Sequence, residues 1–172
     1  RHHIAFDFHR FQEGAIERDL NTPSPPISTD PGAVGNGDIS LPTAINSIGP
    51  RSLTLVGRHL SAASGADPIT LAGALTLDVN YVNTSATGGT WINDALGMVG
   101  SVAGGTTINL GAGTYSAGVS VNKANVTING HNHAEISVGT GQTGVTIGTS
   151  ANNVTIENLE IAGPMGADYE NV

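Results

Sequence analysis

The chain has no cysteine. No disulfide can staple it, and no thiolate can serve as a nucleophile or metal ligand. Small secreted eukaryotic domains lean on disulfides, so the absence favours a bacterial surface or cytosolic origin. Cations are nearly as scarce: six Lys and Arg stand against 14 Asp and Glu in 172 residues, for a formal net charge of −8. Nucleic acid and anionic membrane surfaces both need clustered Lys and Arg, so neither is an expected partner. Aromatic residues make up 4%, too few for the usual core of an enzyme this size. No apolar run approaches the ~20 residues that span a bilayer, so membrane insertion is not expected. No signal-peptide pattern is visible. Arg1-His2-His3 reads as a tag remnant or as the first residues of a piece of a longer chain.

What the chain does have is glycine, 24 residues of it, with Thr, Asn and β-branched residues in short runs. That mixture favours strands joined by tight turns over helices. Its length suits one domain or one solenoid segment. An acidic surface rich in Gly, Thr and Asn suits solubility outside a cell or contact with neutral sugars.

One phrase occurs twice. Asn125-Val126-Thr127-Ile128 returns 28 positions later as Asn153-Val154-Thr155-Ile156. Thr106–Leu110 lies at the same offset from Ala134–Val138. Matched strand-like segments at a fixed spacing predict stacked turns of a solenoid, with the two pairs stacking on each other at 28.

Three regions follow along the chain. Residues 1–31 form an N-terminal arm: Ile4, Phe6 and Phe8 alternate as in a short strand, Gln12 to Leu20 suits one or two helical turns, and Asn21 to Pro31 holds four prolines and reads as an extended linker. Residues 32–84 form a first β segment carrying Leu53-Thr54-Leu55, Ile69-Thr70-Leu71 and Leu75-Thr76-Leu77. Each triplet alternates, so its two apolar side chains face one way and Thr the other. Residues 85–172 form a second β segment. It opens with a short helix near residues 91–99, where Trp91, Ala95 and Met98, and Ile92, Leu96 and Val99, fall at helical spacing, with Asp94 in the first turn. Gly100, Gly104 and Gly105 are expected to end it.

Within residues 36–80, the stretches Asn36-Gly-Asp-Ile-Ser-Leu41, Ser52-Leu-Thr-Leu-Val-Gly57, Ile69-Thr-Leu71 and Ala74-Leu-Thr-Leu-Asp78 resemble the repeats of filamentous-haemagglutinin-type adhesins. Those are secreted bacterial proteins, many exported by two-partner secretion, that fold as right-handed parallel β-helices. Within residues 88–164, a helix followed by Thr106-Thr-Ile-Asn-Leu-Gly-Ala-Gly-Thr-Tyr115 is similar to pectin-lyase-like β-helices, as is Asn153-Val-Thr-Ile-Glu-Asn-Leu-Glu-Ile161. That group includes pectinesterases, polysaccharide lyases, epimerases and phage tailspikes. The motif is scaffold, so the resemblance implies a fold and no particular activity.

The chemistry-bearing residues read mostly as structure. Thr54, Thr70, Thr76, Thr127, Thr146 and Thr155 suggest a water-ordering or sugar-binding ladder, but Ser40, Ser120, Ser137 and Glu160 are expected to break it, leaving ordinary outward strand threonines. Asn125 and Asn153 are expected to stack and satisfy turn backbone, and the sequons that they and Asn83 begin are discounted. His131 and His133 would point the same way in an extended segment, with Glu135 continuing that face, as ligands of a metal site would; the reading preferred is a surface turn. The second segment offers Asp94, Glu135, Glu157, Glu160 and Asp168 among its acids, with Lys123 its one cation, so a uronate-binding groove there would repel its substrate. Glu157 and Glu160 are not expected to converge. Gly35-Asn36-Gly37 and Gly111-Ala112-Gly113 lack the lysine of a phosphate loop.

The expectation is an all-β chain: a right-handed parallel β-helix (β-solenoid) with one short helix, an extended N-terminal arm and an open C-terminal edge. No catalytic, cofactor-binding or metal residue is assigned, and no cofactor is expected. The function expected is a non-catalytic secreted or cell-surface protein, an adhesin segment or fibre-forming subunit. It would self-associate by end-to-end stacking or continue into a longer chain, with surface glycans as candidate partners. The alternative is a carbohydrate-active β-helix protein, a lyase, esterase or tailspike depolymerase, whose catalytic coils lie outside this chain.

Overall fold

The computed structural model describes residues 27–28, 38–41, 44–47, 49–62, 69–83, 85 and 88–163. The strand expected over Ile4–Phe8, the helical turns at Gln12–Leu20 and Asp168 lie outside the described residues. The elements in chain order are β1 (Ile27–Ser28), β2 (Ile39–Leu41), β3 (Ile45–Ser47), β4 (Leu53–Gly57), β5 (Leu60–Ala62), β6 (Ile69–Leu71), β7 (Leu75–Val79), α1 (Trp91–Gly97), β8 (Val99–Val102), β9 (Thr106–Leu110), β10 (Gly113–Tyr115), β11 (Val119–Val121), β12 (Val126–Ser137), β13 (Val145–Ile147) and β14 (Val154–Ala162).

Among these strands every pairing is parallel. The main sheet runs β1-β4-β7-β9-β12, with β10 and β14 also on β12; β3-β6-β8, β2-β5 and β11-β13 form three smaller sheets. Parallel neighbours need a long return path. Here the return path carries the strands of the smaller sheets. The described residues are therefore all-β but for one helix, with a curled parallel sheet compatible with a solenoid.

The register explains which repeats in the sequence are structural. Leu53 sits opposite Leu75, so the two Leu-Thr-Leu triplets stack at their spacing of 22. Val126 sits opposite Val154, so the Asn-Val-Thr-Ile phrase stacks at 28. The second pair does not follow its spacing. Thr106 stacks on Val126, 20 positions on, and Ala134 pairs with Gly113 on one side and Leu159 on the other. Tight turns of unequal length set the register locally, so a shared offset of 28 there is coincidence. β7 also pairs with β9, Leu75 opposite Thr106 and Val79 opposite Leu110, so one sheet joins the two β segments. The proline-rich stretch is not only linker: β1 pairs with β4, Ile27 opposite Leu55.

Alternation in the triplets builds the core. Leu53, Leu75 and Val126 form one inward row with Thr106, and Leu55, Leu77, Ile108 and Ile128 form the next; all are buried. Small aliphatic side chains fill this narrow interior, which is why so few aromatics suffice. The exception is Tyr115, fully buried, whose hydroxyl donates to the Gly111 carbonyl at 3.0 Å.

Asparagine turns the corners. Asn80, Asn83, Asn125, Asn132, Asn153 and Asn158 all have φ between 54° and 61°, and His131 has φ 51°. Apart from glycine, asparagine enters this left-handed region most readily. Gly111 is required for a different reason: a Cβ there would run into the Asn80 carbonyl of the neighbouring turn.

α1 begins where expected and ends earlier. Ile92, Ala95 and Leu96 face the core. Gly97 is its last residue, and the chain leaves directly into β8, which pairs with β6. Gly100, Gly104 and Gly105 are not its terminator; burying Val99 against Ile69 in the sheet takes the chain out of the helix first. Asn93 fastens the helix to β11, donating to the Gly118 carbonyl at 2.8 Å and accepting from the Ser120 amide at 2.9 Å.

The apolar rows run out at β13 and β14. Val126, Ile128 and Ile136 are buried, but of their partners on β14, Val154 and Ile156 are half-buried and Ile161 is 53% exposed. Val121 is buried, while its partner Ile147 is 53% exposed.

Candidate functional site

The face worth building up is the outer side of the main sheet. Its central row is Thr54, Thr76, Thr107, Thr127 and Thr155, each directly opposite the next. This ladder is unbroken. Ser40 and Ser120 lie on β2 and β11, and Ser137 and Glu160 lie at the far ends of β12 and β14, so none interrupts it. Thr107 joins the threonines named from the sequence, whereas Thr70 and Thr146 belong to other sheets. Adjacent strands place the hydroxyls about 4.8 Å apart.

Two residues on, in the outward direction again, runs a second row: Val56, Asp78, Asn109, Asn129 and Glu157. Two of its members are tied to each other, and a third to the turn beside it. Asn109 Nδ2 donates to Asp78 Oδ1 at 2.7 Å. Asn129 Oδ1 accepts from the His131 amide at 2.9 Å and from Asn158 Nδ2 at 3.2 Å.

Beside this row β12 bulges. Asn129 pairs with Glu157 and Ala134 with Leu159, so Gly130, His131, Asn132 and His133 stand opposite Asn158 alone. Two successive residues in the left-handed region, His131 and Asn132, throw the loop outward. Gly130 makes it feasible, since a Cβ there would strike Leu159 and the Asn158 carbonyl. The two histidines thus do not sit in an extended segment with Glu135 on one continuous face, as their spacing suggests. Their rings lie nearly parallel, 15° apart with centroids 6.5 Å apart, and both are exposed.

The bulge closes a cleft of about 270 Å³ lined by Asp78, Tyr81, Asn83, Asn109, Gly111, His131 and His133. His133 also borders a second hollow of about 580 Å³, with Asn132, Glu135, Asn158 and Glu160. His131 is held by its ring: Nε2 lies 3.2 Å from Asn109 Oδ1. Asp78 can only accept, so the Asn109 amide nitrogen faces it and the Asn109 oxygen faces His131. His131 Nε2 is therefore the donor, and Nδ1 is left as an acceptor in the neutral ring.

No known protein family, curated protein or solved structure matches the chain.

The acids expected from the sequence disperse, with one exception. Glu157 sits opposite Asn129, away from Glu160. Asp94 belongs to the other side of the molecule, where its Oδ2 accepts from Thr90 Oγ1 at 2.8 Å and lies 2.9 Å from His59 Nε2. Glu135 and Glu160, however, are direct neighbours on β12 and β14. Like charges opposed across a ladder repel, and no Lys or Arg lines either hollow. Among the described residues no three His, Asp or Glu side chains come together to hold a metal ion. The sequence reading missed Asp78, Tyr81, Asn83 and Asn109. The signal was present: aligning the Thr-centred triplets on their threonines puts Val56, Asp78, Asn109, Asn129 and Glu157 in one file.

Proposed function

We propose that this chain is a segment of right-handed parallel β-helix that serves outside the cell as a rigid, non-catalytic adhesive stalk or fibre-forming unit. Its handedness and its cell-surface setting rest on the resemblance of residues 36–80 to secreted adhesin repeats and of residues 88–164 to pectin-lyase-like coils. The observation that carries the reading is the set of apolar rows that reach β13 and β14 still uncovered, with Ile147 and Ile161 each 53% exposed. A surface of this kind is completed by a further coil stacked in register, from a second copy or from the same polypeptide. Stacked strands give stiffness, and the bulge on the sheet face gives a place for recognition. The test is sedimentation velocity with negative-stain microscopy. The expected result is concentration-dependent, lengthwise association that Ile161→Lys abolishes; association untouched by charges at both Ile147 and Ile161 would remove stacking at this edge.

One observation favours the carbohydrate-active reading instead. Glu135 and Glu160 stand directly opposite each other on adjacent strands, and glycosidases work with a pair of facing carboxyl groups. Release of reducing ends or unsaturated products from a polysaccharide panel, lost in Glu160→Gln, would replace the non-catalytic reading.

A further inference from the structure

We infer that the cleft beside the His131–His133 bulge binds an amine-bearing sugar, of the kind found in a glucosamine polymer. The inference does not depend on stacking at β14, and it gives the proposed stalk a ligand.

The argument rests on what the cleft leaves unsatisfied. Asp78 Oδ1 accepts from Asn109, while Asp78 Oδ2 has no partner among the described residues. His131 commits Nε2–H to Asn109 and so presents Nδ1 as an acceptor. The one charged acceptor on offer, Asp78 Oδ2, selects an ammonium, while Asn83, whose Oδ1 accepts from the Ala112 amide, keeps its Nδ2 as a donor for a sugar hydroxyl. The cleft brings no cation of its own, since no Lys or Arg lines it, and the neighbouring hollow adds Glu135 and Glu160. In a chain of net charge −8 this excludes uronate polymers and favours cationic ones. Size agrees with a single sugar ring: about 270 Å³ is just under the ~300 Å³ at which sites for larger ligands begin. The second hollow adjoins it at His133, so a polymer has a path onward from the first ring. The imidazole faces offer flat apolar surface to sugar C–H groups. Preorganisation is built in, because Asp78, Asn109 and His131 already hold one another.

The experiment is titration calorimetry of the intact chain with glucosamine oligosaccharides, their N-acetylated counterparts and galacturonate oligosaccharides of equal length. Expected are binding of the glucosamine series, at least tenfold weaker binding of the acetylated series and no binding of the uronates. Asp78→Asn, nearly isosteric, should weaken glucosamine binding at least tenfold, and His131→Ala likewise. Glu157→Gln, a charge in the same row outside the cleft, should change it less than twofold. Equal or tighter uronate binding overturns the inference, as does equal binding of amine and acetylated oligomers. Equal losses in Asp78→Asn and Glu157→Gln would show diffuse charge attraction and overturn it too.

Discussion

Asn153 Nδ2 donates to Asn125 Oδ1 at 3.0 Å, across one turn of the stack, and both residues hold the left-handed backbone at φ 55° and 57°. Each asparagine therefore does two things at once: it accepts a strained corner and ties that corner to the next one. The two roles separate by mutation. Asn125→Gly keeps the corner and loses the bond, for about 1 kcal/mol. Asn125→Ala loses both, for roughly 2–3 kcal/mol. Urea unfolding should rank wild type above the glycine variant and the glycine above the alanine variant. Equal losses would mean that the left-handed corner adds no strain.

The contrast between Leu77 and Ile161 tests where the core ends. Leu77 is fully buried in the middle of the stack, between Leu55 and Ile108. Leu77→Ala should cost about 2–5 kcal/mol. Ile161 faces the same kind of interior on β14 but is 53% exposed. At a concentration where the chain is monomeric, Ile161→Ala should cost under about 1 kcal/mol, and the difference should grow where the chain associates. Thermal melts over a concentration series measure both. A concentration-independent loss near that of Leu77 would show that Ile161 is already covered.

The parallel stack was legible because period-2 triplets and the Asn-Val-Thr-Ile phrase each encode strand and corner together. The pairing of Leu53 with Leu75 and of Val126 with Val154 could be read directly from spacing. Register elsewhere could not, because turns of different length intervene and one residue of slip reverses a strand's faces. The coincidental offset of 28 between Thr106–Leu110 and Ala134–Val138 shows how this misleads. The cleft was illegible for the same reason. Asp78 and Asn109 meet only if β7 and β9 stack 31 positions apart, across α1. A surface turn at His131 and His133 is the reading their sequence favours, but nothing in their spacing announces two left-handed residues in succession.

Helix α1 offers an optical test. The single tryptophan, Trp91, is stacked on His59 with ring centroids 5.5 Å apart, and Arg58 lies 5.7 Å from its ring centre. Asp94 holds His59 in that position at 2.9 Å and takes a bond from Thr90 at 2.8 Å. Asp94→Ala frees the imidazole. Tryptophan emission should change in intensity as the stack loosens, and stability should fall by about 1 kcal/mol, since the groups are part-exposed. Unchanged emission would show that packing on Trp91, not Asp94, positions His59.

Tyr115 links the core to alkaline pH. Burial pushes its phenol up to about 12, and the hydrogen bond with Asn80 pulls a smaller amount the other way. In the unfolded chain the phenol titrates near about 10. Below about pH 10 both states keep the proton, so the full stabilising contribution of the neutral phenol is present. Between about 10 and 12 the unfolded chain has released it and the folded chain has not, so stability falls by ~1.4 kcal/mol per pH unit from this group. Above about 12 the folded phenol ionises as well and the decline ends. Tyr115→Phe removes this slope and also the donor to the Gly111 carbonyl, at about 1 kcal/mol near neutral pH. Tyr81 and Tyr169 are present in both chains, so the difference between wild type and variant isolates Tyr115. Urea midpoints measured from pH 8 to 12 should show the variant less stable at first, then level with wild type, then more stable. A gap that stays constant to pH 12 would show that the Tyr115 hydroxyl reaches solvent in the folded chain.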